Sequence, residues 1–283
     1  MSKMYRGVDR AAPRAHRRLP IPAITRTLAL SIWVLGATPL VAWAQDADEV
    51  AKQLTNPVAS VTSIPFVFDF DHGAGPDGDG LSYTLKAQPV IPFQLNADFN
   101  VISRTIAPLV FQTGIYPDDV FGLGDITQSF FITPSKPDAL VWGLGPAFLL
   151  PTATDERLGY GKLGIGPTAL LLYGVGKVSV GVLATQIWSV AGDPDRADVS
   201  LLQLQPFINY ALGEGQTLSA NLESSYDWIG EQWTVPLNLG YSKVFEAGGQ
   251  TLKWQIGARA YLAAPEGGPD WGLRTGLTFV VPP

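Results

Sequence analysis

The chain has 283 residues, 46% of them hydrophobic and only 16% charged, with 19 Lys+Arg against 25 Asp+Glu and a formal net charge of −6. Zero cysteines exclude a disulfide framework, thiolate metal sites and a cysteine nucleophile. The acidic balance argues against a nucleic-acid partner, which needs clustered Lys and Arg to neutralise phosphates.

Residues 1–44 differ from everything after them. Lys3, Arg6, Arg10, Arg14, Arg17, Arg18 and Arg26 stand against one acid, Asp9, and are followed by the apolar run 28–41 (LALSIWVLGATPLV). Ala42, Trp43 and Ala44 then form an A-x-A site ahead of Asp46, Asp48 and Glu49. Basic, apolar and small in that order predicts a cleaved secretory signal peptide. The run is too short for a membrane-spanning helix, which takes about 20 residues. Without residues 1–44 the chain keeps 12 basic and 24 acidic residues, a net charge of −12.

Residues 45–57 are expected to form a short N-terminal helix or periplasmic segment, with Val50, Ala51 and Leu54 on one side and Pro57 as a stop. From residue 58 to 283 the pattern changes to period 2, the spacing of strands whose side chains alternate between faces. In 232–242, Trp233, Val235, Leu237, Leu239 and Tyr241 share one face, and Gln232, Thr234, Asn238 and Ser242 the other. Twelve such segments are read: 58–70, 81–91, 96–113, 124–134, 139–150, 162–172, 177–190, 199–210, 216–226, 232–245, 251–263 and 271–281. An even number of strands of about ten residues, alternating apolar and polar, is the signature of a transmembrane β-barrel.

The connections agree. Those at 71–80, 114–123, 151–161, 191–198, 227–231 and 264–270 are mostly long and rich in Gly, Pro and Asp, whereas 92–95, 135–138, 173–176, 211–215 and 246–250 are short. Outer-membrane barrels carry long extracellular loops and short periplasmic turns. Aromatic residues gather near strand ends, Trp188, Trp228, Trp233 and Trp271 at one level and Phe99, Trp142, Tyr210, Tyr241 and Trp254 at the other, where amphipathic rings favour the membrane interface. The fold expected is all-β, a transmembrane antiparallel up-and-down barrel of about 12 strands. A secreted β-sandwich also alternates, but lacks this asymmetry and this aromatic placement. Pro89, Pro146, Pro167, Pro206 and Pro236 fall inside the strands, where each removes a ladder donor.

Candidate sites follow from the inward face. The lumen-lining candidates are Lys86, Asp98, Arg104, Asp125, Gln205, Glu223, Lys253, Arg259 and Arg274. They read as the wall of a hydrated pore, or as an ion-pair network that fills a narrow barrel. The long connections hold fourteen acids against Arg157 and Arg196, and Asp71, Asp77, Asp79, Asp118, Asp119, Asp193, Asp195 and Asp198 are read as an acidic outer rim. No catalytic residue is expected: His72 is the one histidine beyond the signal, with no serine partner identifiable by spacing. Asp71, Asp77 and Asp79 do not fit a dedicated calcium loop, so neither a metal site nor a cofactor is expected. The Gly-x-Gly pairs at 122–124, 143–145 and 164–166 lack the third glycine and the helix of a phosphate loop.

Several stretches together resemble a family. They are 56–60 (NPVAS), 122–131 (GLGDITQSFF), 143–155 (GLGPAFLLPTATD), 164–168 (GIGPT), 204–207 (LQPF), 225–228 (SYDW) and 232–240 (QWTVPLNLG). In this order they resemble the outer-membrane transporters of Gram-negative bacteria named for an association with meta-cleavage phenol degradation. The resemblance implies an outer-membrane barrel with a transport role and makes Pro146, Pro167, Pro206 and Pro236 recurring features. It carries no substrate and no catalytic residue. One departure is the end, 277–283 (LTFVVPP), where such barrels usually finish on an aromatic residue.

The function expected is passive uptake of small, including aromatic or amphipathic, solutes across the Gram-negative outer membrane, with membrane lipids and solutes as partners. The alternatives are a non-transporting surface barrel with a plugged interior and a lipid-modifying barrel enzyme. Oligomeric state is not legible.

Overall fold

A computed structural model describes residues 47–136 and 138–281; the signal sequence expected at 1–44 lies outside the described residues. Fifteen strand pieces make one antiparallel sheet: β1 (Ser63–Ala74), β2 (Gly80–Ala87), β3 (Val90–Gln94), β4 (Phe99–Thr113), β5 (Val120–Leu123), β6 (Ile126–Pro134), β7 (Leu140–Leu150), β8 (Lys162–Val175), β9 (Val178–Gly192), β10 (Ser200–Gly213), β11 (Gln216–Leu222), β12 (Ser224–Asp227), β13 (Gln232–Ala247), β14 (Gln250–Ala263) and β15 (Trp271–Val280). β2 with β3 and β11 with β12 are each one barrel strand broken once, because both members of a pair lie between the same neighbours, and β5 with β6 is a third, because both pair in succession with β4. The twelve resulting strands run up and down, and β1 pairs with β15 from Ser63↔Val280 to His72↔Trp271. That seam closes the barrel and leaves no free sheet edge, as hydrocarbon surroundings demand of every backbone N–H and C=O.

The outer face is apolar. In β8, Leu170 is 1% exposed, Leu171 53%, Leu172 6% and Tyr173 49%, so alternate side chains point out of the barrel. Leu144, Leu239, Ile256 and Leu273 likewise point outward from four other strands. A soluble protein rarely leaves so much contiguous apolar surface in water, and a lipid-facing barrel requires it. Among the described residues, no helix is long and apolar enough to cross a membrane.

Turn chemistry sets the two ends apart. Gly248 and Gly249 both have positive φ (60° and 76°), as do Glu214 (54°) and Gly215 (72°). These are the left-handed pairs that a two-residue hairpin needs to match strand twist. The turns at 95–98, 135–139, 176–177, 214–215 and 248–249 share one end, and the longer loops share the other.

The in-strand prolines sit where ladders are interrupted. Pro146 and Pro167 face each other across β7 and β8, and each leaves a gap in pairing with the strand on its other side. There the adjoining glycines are needed for close approach: a Cβ on Gly145 would collide with the Phe130 carbonyl oxygen, and one on Gly166 with that of Gln186. Pro206 in β10 and Pro236 in β13 flank the break between β11 and β12 at Glu223. Pro236 lies at a bulge in the β13–β14 ladder, and its carbonyl accepts the Glu223 N–H at 3.2 Å.

The first strand starts at Ser63, not at residue 58. Residues 47–53 are helical, and 54–62 continue as an irregular segment. The helix is seated against the hairpin at 214–215: Asp48 accepts the Gly215 N–H at 2.6 Å, and Ala47 and Ala51 pack on Val244. Val58 then buries among Val90, Ile102, Phe131, Leu170 and Leu183, all interior residues. Ser60 meets Asn100 at 3.1 Å, and the Thr62 carbonyl accepts the Val281 N–H at 2.9 Å. Residues 47–62 therefore cross the interior at the turn end. Val58 and Ala59 are consecutive and both buried, so the apolar residues read there as the start of a strand belong to the inner segment and mark no strand face.

Candidate functional site

The interior has two unlike walls. Along β4 and β6–β9 it is mainly apolar, with Ile102, Phe131, Leu170 and Leu183 towards the turns and Ala147, Leu149 and Ile187 towards the loops, interrupted by the buried hydroxyls of Ser129, Thr133, Thr168 and Thr185 and, on β4, by Asn100 and Arg104. Along β1, β2, β14 and β15 it is charged. The hub is Asp69, fully buried on β1. Arg274 stands opposite it on β15 and donates Nε to Oδ1 at 2.6 Å and Nη2 to Oδ2 at 2.9 Å. Lys86 of β2 and Arg259 of β14 reach Asp69 Oδ2 at 2.7 and 2.8 Å. Asp71 adds a longer contact to Arg259, 3.4 Å, and Tyr261 Oη accepts from Arg259 Nη2 at 3.1 Å.

The layer reaches across the lumen. Glu223, projected inward at the strand break, holds the other side of Arg274 through two hydrogen bonds of 2.6 and 2.8 Å. Three carboxylates thus meet three cations in a neutral network that ties β1, β2, β14 and β15 to the β11–β12 strand. Gly272 makes the seam geometry possible. It lies on β15 between Asp71 and Arg259, and a Cβ there would collide with the Phe70 carbonyl oxygen and the Asp71 carboxylate.

Below this layer lies a cavity of about 250 Å³, bounded towards the turns by Leu54 and Asn56 and towards the loops by Glu223 and Arg274. Arg104, Gln205, Lys253 and Phe207 line it. Lys253 donates to the Leu54 carbonyl at 3.4 Å, fastening the inner segment to β14.

Three residues lie elsewhere than their spacing predicts. Asp71 belongs to the buried charge network rather than the outer rim, because β1 continues to Ala74 and alternation turns it inward. Asp98 is exposed in the turn at 95–98, because β4 begins only at Phe99. Asp125 occupies the break between β5 and β6, where its carboxylate accepts the N–H groups of Ala153 and Tyr160 at 3.1 and 2.7 Å and clasps the loop 151–161. The structure places Lys86, Arg259, Arg274 and Glu223 in the charge network and Arg104, Gln205 and Lys253 on the cavity. Asp77, Asp79, Asp118, Asp119, Asp193, Asp195 and Asp198 are exposed at the loop end. Asp69 is absent from the sequence-based set, although its alternation with Phe68 and Phe70 marks it as inward-facing. His72, near the end of β1, stacks on Trp271 with centroids 5.4 Å apart.

The loop end is cross-braced. Arg196 donates to the carbonyls of Glu156 at 2.8 Å, Tyr160 at 3.3 Å and Gly159, joining two loops. Arg157 grips Asp155 through two side-chain hydrogen bonds of 2.9 and 2.7 Å, which, with the Arg157 N–H, hold the Asp155 carboxyl down at about 2.

Comparison with known proteins fits this architecture. An outer membrane channel from Pseudomonas putida F1 superposes with a TM-score of 0.63 at 18% identity, over 80% of this chain and 97% of that one. The fold is that of the Gram-negative outer-membrane barrels. The outer membrane phospholipase A of Escherichia coli matches more loosely, with a TM-score of 0.45 at 11% identity over 82% of this chain and 97% of that one. The β domain of the Bordetella autotransporter BrkA has a TM-score of 0.40 at 12% identity, over 78% and 100%. No protein-family model matches the chain, and no curated protein does.

Proposed function

We propose that this protein is an outer-membrane channel for small solutes, with residues 47–62 as its movable barrier at the periplasmic end. The observation that carries the reading is the cavity between Leu54 on one side and the Glu223–Arg274 pair on the other. A barrel filled only for stability has no reason to keep such a space, because packed interiors leave few voids larger than a water molecule. The apolar wall opposite the charged one favours solutes with an apolar body and a polar end, aromatic ones among them. The signal sequence at 1–44 delivers the chain, the loops face outward, and the acidic rim raises the local concentration of cations at the mouth.

A second reading rests on a specific observation: the interior is crossed twice, by the ion-pair layer and by residues 47–62. That is also what a plugged surface barrel requires. Liposome swelling and planar-bilayer conductance separate the two. The wild-type protein is expected to give slow solute-driven swelling, and Asp48→Ala, which unfastens the helix from Gly215, to speed it. No swelling and no conductance in either protein supports the plugged barrel. His72→Ala is expected to leave both readouts unchanged.

A further inference from the structure

Two interior cations have no carboxylate of their own. The three acids of the charge network, Asp69, Asp71 and Glu223, are occupied by Lys86, Arg259 and Arg274. Among the described residues, Arg104 and Lys253 form no ion pair, and both line the cavity. Glu223, the one acid on the cavity wall, faces Arg104 without reaching ion-pair distance and is held in two hydrogen bonds by Arg274. A charge removed from water without a counterion costs several kcal/mol, so a site holding two such cations is poised to take an anion.

The rest of the wall narrows the class. Gln88, Gln205 and Asn209 supply neutral amide groups, and Phe207, Val67 and Val90 supply an apolar face. Amide donors beside a guanidinium suit a planar, singly charged oxyanion, and Arg matches a carboxylate with two parallel hydrogen bonds. The apolar side chains leave no reason for a fully hydrated inorganic ion. We infer that Arg104 and Lys253 form a binding site for a small organic monocarboxylate within the barrel. Its carboxylate meets the two cations, and its apolar body lies against Phe207 and Val67.

The site is wired to the inner segment. Lys253 spends one hydrogen bond on the Leu54 carbonyl, a neutral acceptor, at 3.4 Å. A carboxylate is the stronger acceptor, since charge-assisted hydrogen bonds are about twice as strong as neutral ones. An arriving anion therefore competes with Leu54 for Lys253 and weakens the hold on residues 47–62. The acidic rim opposes anion arrival at low salt only, because the screening length falls to about 8 Å at physiological ionic strength. The inference rests on the channel reading only for how the solute reaches the cavity; binding itself is separate.

The test is calorimetric titration of the detergent-solubilised barrel with hexanoate, with hexan-1-ol and hexylammonium as neutral and cationic probes of the same length. Hexanoate alone is expected to bind saturably. Arg104→Gln and Lys253→Gln are each expected to weaken it by about tenfold or more, the loss of one charged hydrogen bond. Arg104→Lys and Lys253→Arg are expected to recover most of that loss, which a merely structural role for the charge would not do. Heat-modifiable gel migration verifies that each variant remains a folded barrel. Absence of hexanoate binding to the wild type, equal binding of hexan-1-ol, or undiminished binding to both Gln variants overturns the site. Hexanoate binding without swelling or conductance overturns the channel reading and leaves the site standing; transport without binding does the reverse.

Discussion

Asp69 and Arg274 face each other across the seam that closes the barrel, joined by hydrogen bonds of 2.6 and 2.9 Å. The first and last strands of the barrel are thus held by backbone pairing along their length and by a bidentate ion pair at one interior point. Because Arg274 also grips Glu223, the seam is tied to the β11–β12 strand, three strands round the barrel from β15, by a single side chain. A guanidinium serves here where an ammonium does not, since its planar fork satisfies two carboxylates at once.

Removing the hub charge leaves Lys86, Arg259 and Arg274 facing an amide. Asp69→Asn is therefore expected to destabilise the barrel by about 3–5 kcal/mol, the usual cost of breaking a buried ion pair from one side. Arg274→Lys keeps the charge but not the fork and is expected to fall between wild type and Asp69→Asn. Urea unfolding in lipid vesicles, followed by tryptophan fluorescence, measures both. An unchanged midpoint for Asp69→Asn would show that backbone pairing alone secures the seam.

Gly272 gives a steric prediction of the same seam. A methyl group there meets the Phe70 carbonyl oxygen and the Asp71 carboxylate, so the Arg259–Asp71 contact and the β1–β15 spacing must both give way. Gly272→Ala is expected to cost about 1–3 kcal/mol, as overpacking does. Gly174, near the turn end of β8, has no atom within 4 Å of its virtual Cβ, so Gly174→Ala is expected to stay within about 0.5 kcal/mol. Comparable losses in the two variants would argue against a special role for the small residue at 272.

How much of this was legible depends on whether the two faces of a strand differ. In 232–242 the outward Leu239 and the inward Asn238 differ in kind, and the strand β13 runs as expected. In β8, Leu170, Leu171 and Leu172 are alike in sequence while alternating between interior and lipid, so the apolar inner wall left no periodic trace. The amphipathic spacing of Val50, Ala51 and Leu54 was visible, but their seat on Val244 was not, because that contact joins residues almost two hundred apart. Pro206 and Pro236 become intelligible only once the break at Glu223 is seen between them. The inward direction of Lys86, Glu223, Arg259 and Arg274 was readable strand by strand; their convergence on Asp69 depends on barrel closure, which no local pattern encodes.

The loop ion pair predicts a pH effect. Asp155 titrates at about 2 rather than at its ordinary 3.8, because Arg157 donates to it through both side chain and backbone. A lowered carboxyl value means that its contribution to the loop is complete above about pH 4 and is lost as pH falls towards 2. Carboxylate ¹³C shifts of the detergent-solubilised protein, assigned with Asp155→Asn, are expected to show that late titration. A midpoint near 3.8 would mean that the Arg157 clamp does not hold in solution.

Val58 tests which of the two interior barriers closes the lumen. It is 2% exposed, wedged among Ile102, Phe131 and Leu170, and contributes nothing to the ladders that form the wall. Val58→Asp places a carboxylate in that apolar nest, where a charge without partners is costly enough to expel the segment that carries it. The wall should survive, since its strands are paired around the full circle. Conductance and protease accessibility of residues 47–62 are therefore expected to rise together while heat-modifiable migration is retained, and Val58→Ala is expected to show the same trend more weakly. Cleavage of the released segment without any rise in conductance would place the decisive barrier at the Asp69–Arg274–Glu223 layer, where Glu223→Gln, which weakens the bridge across the lumen, becomes the variant expected to open the path.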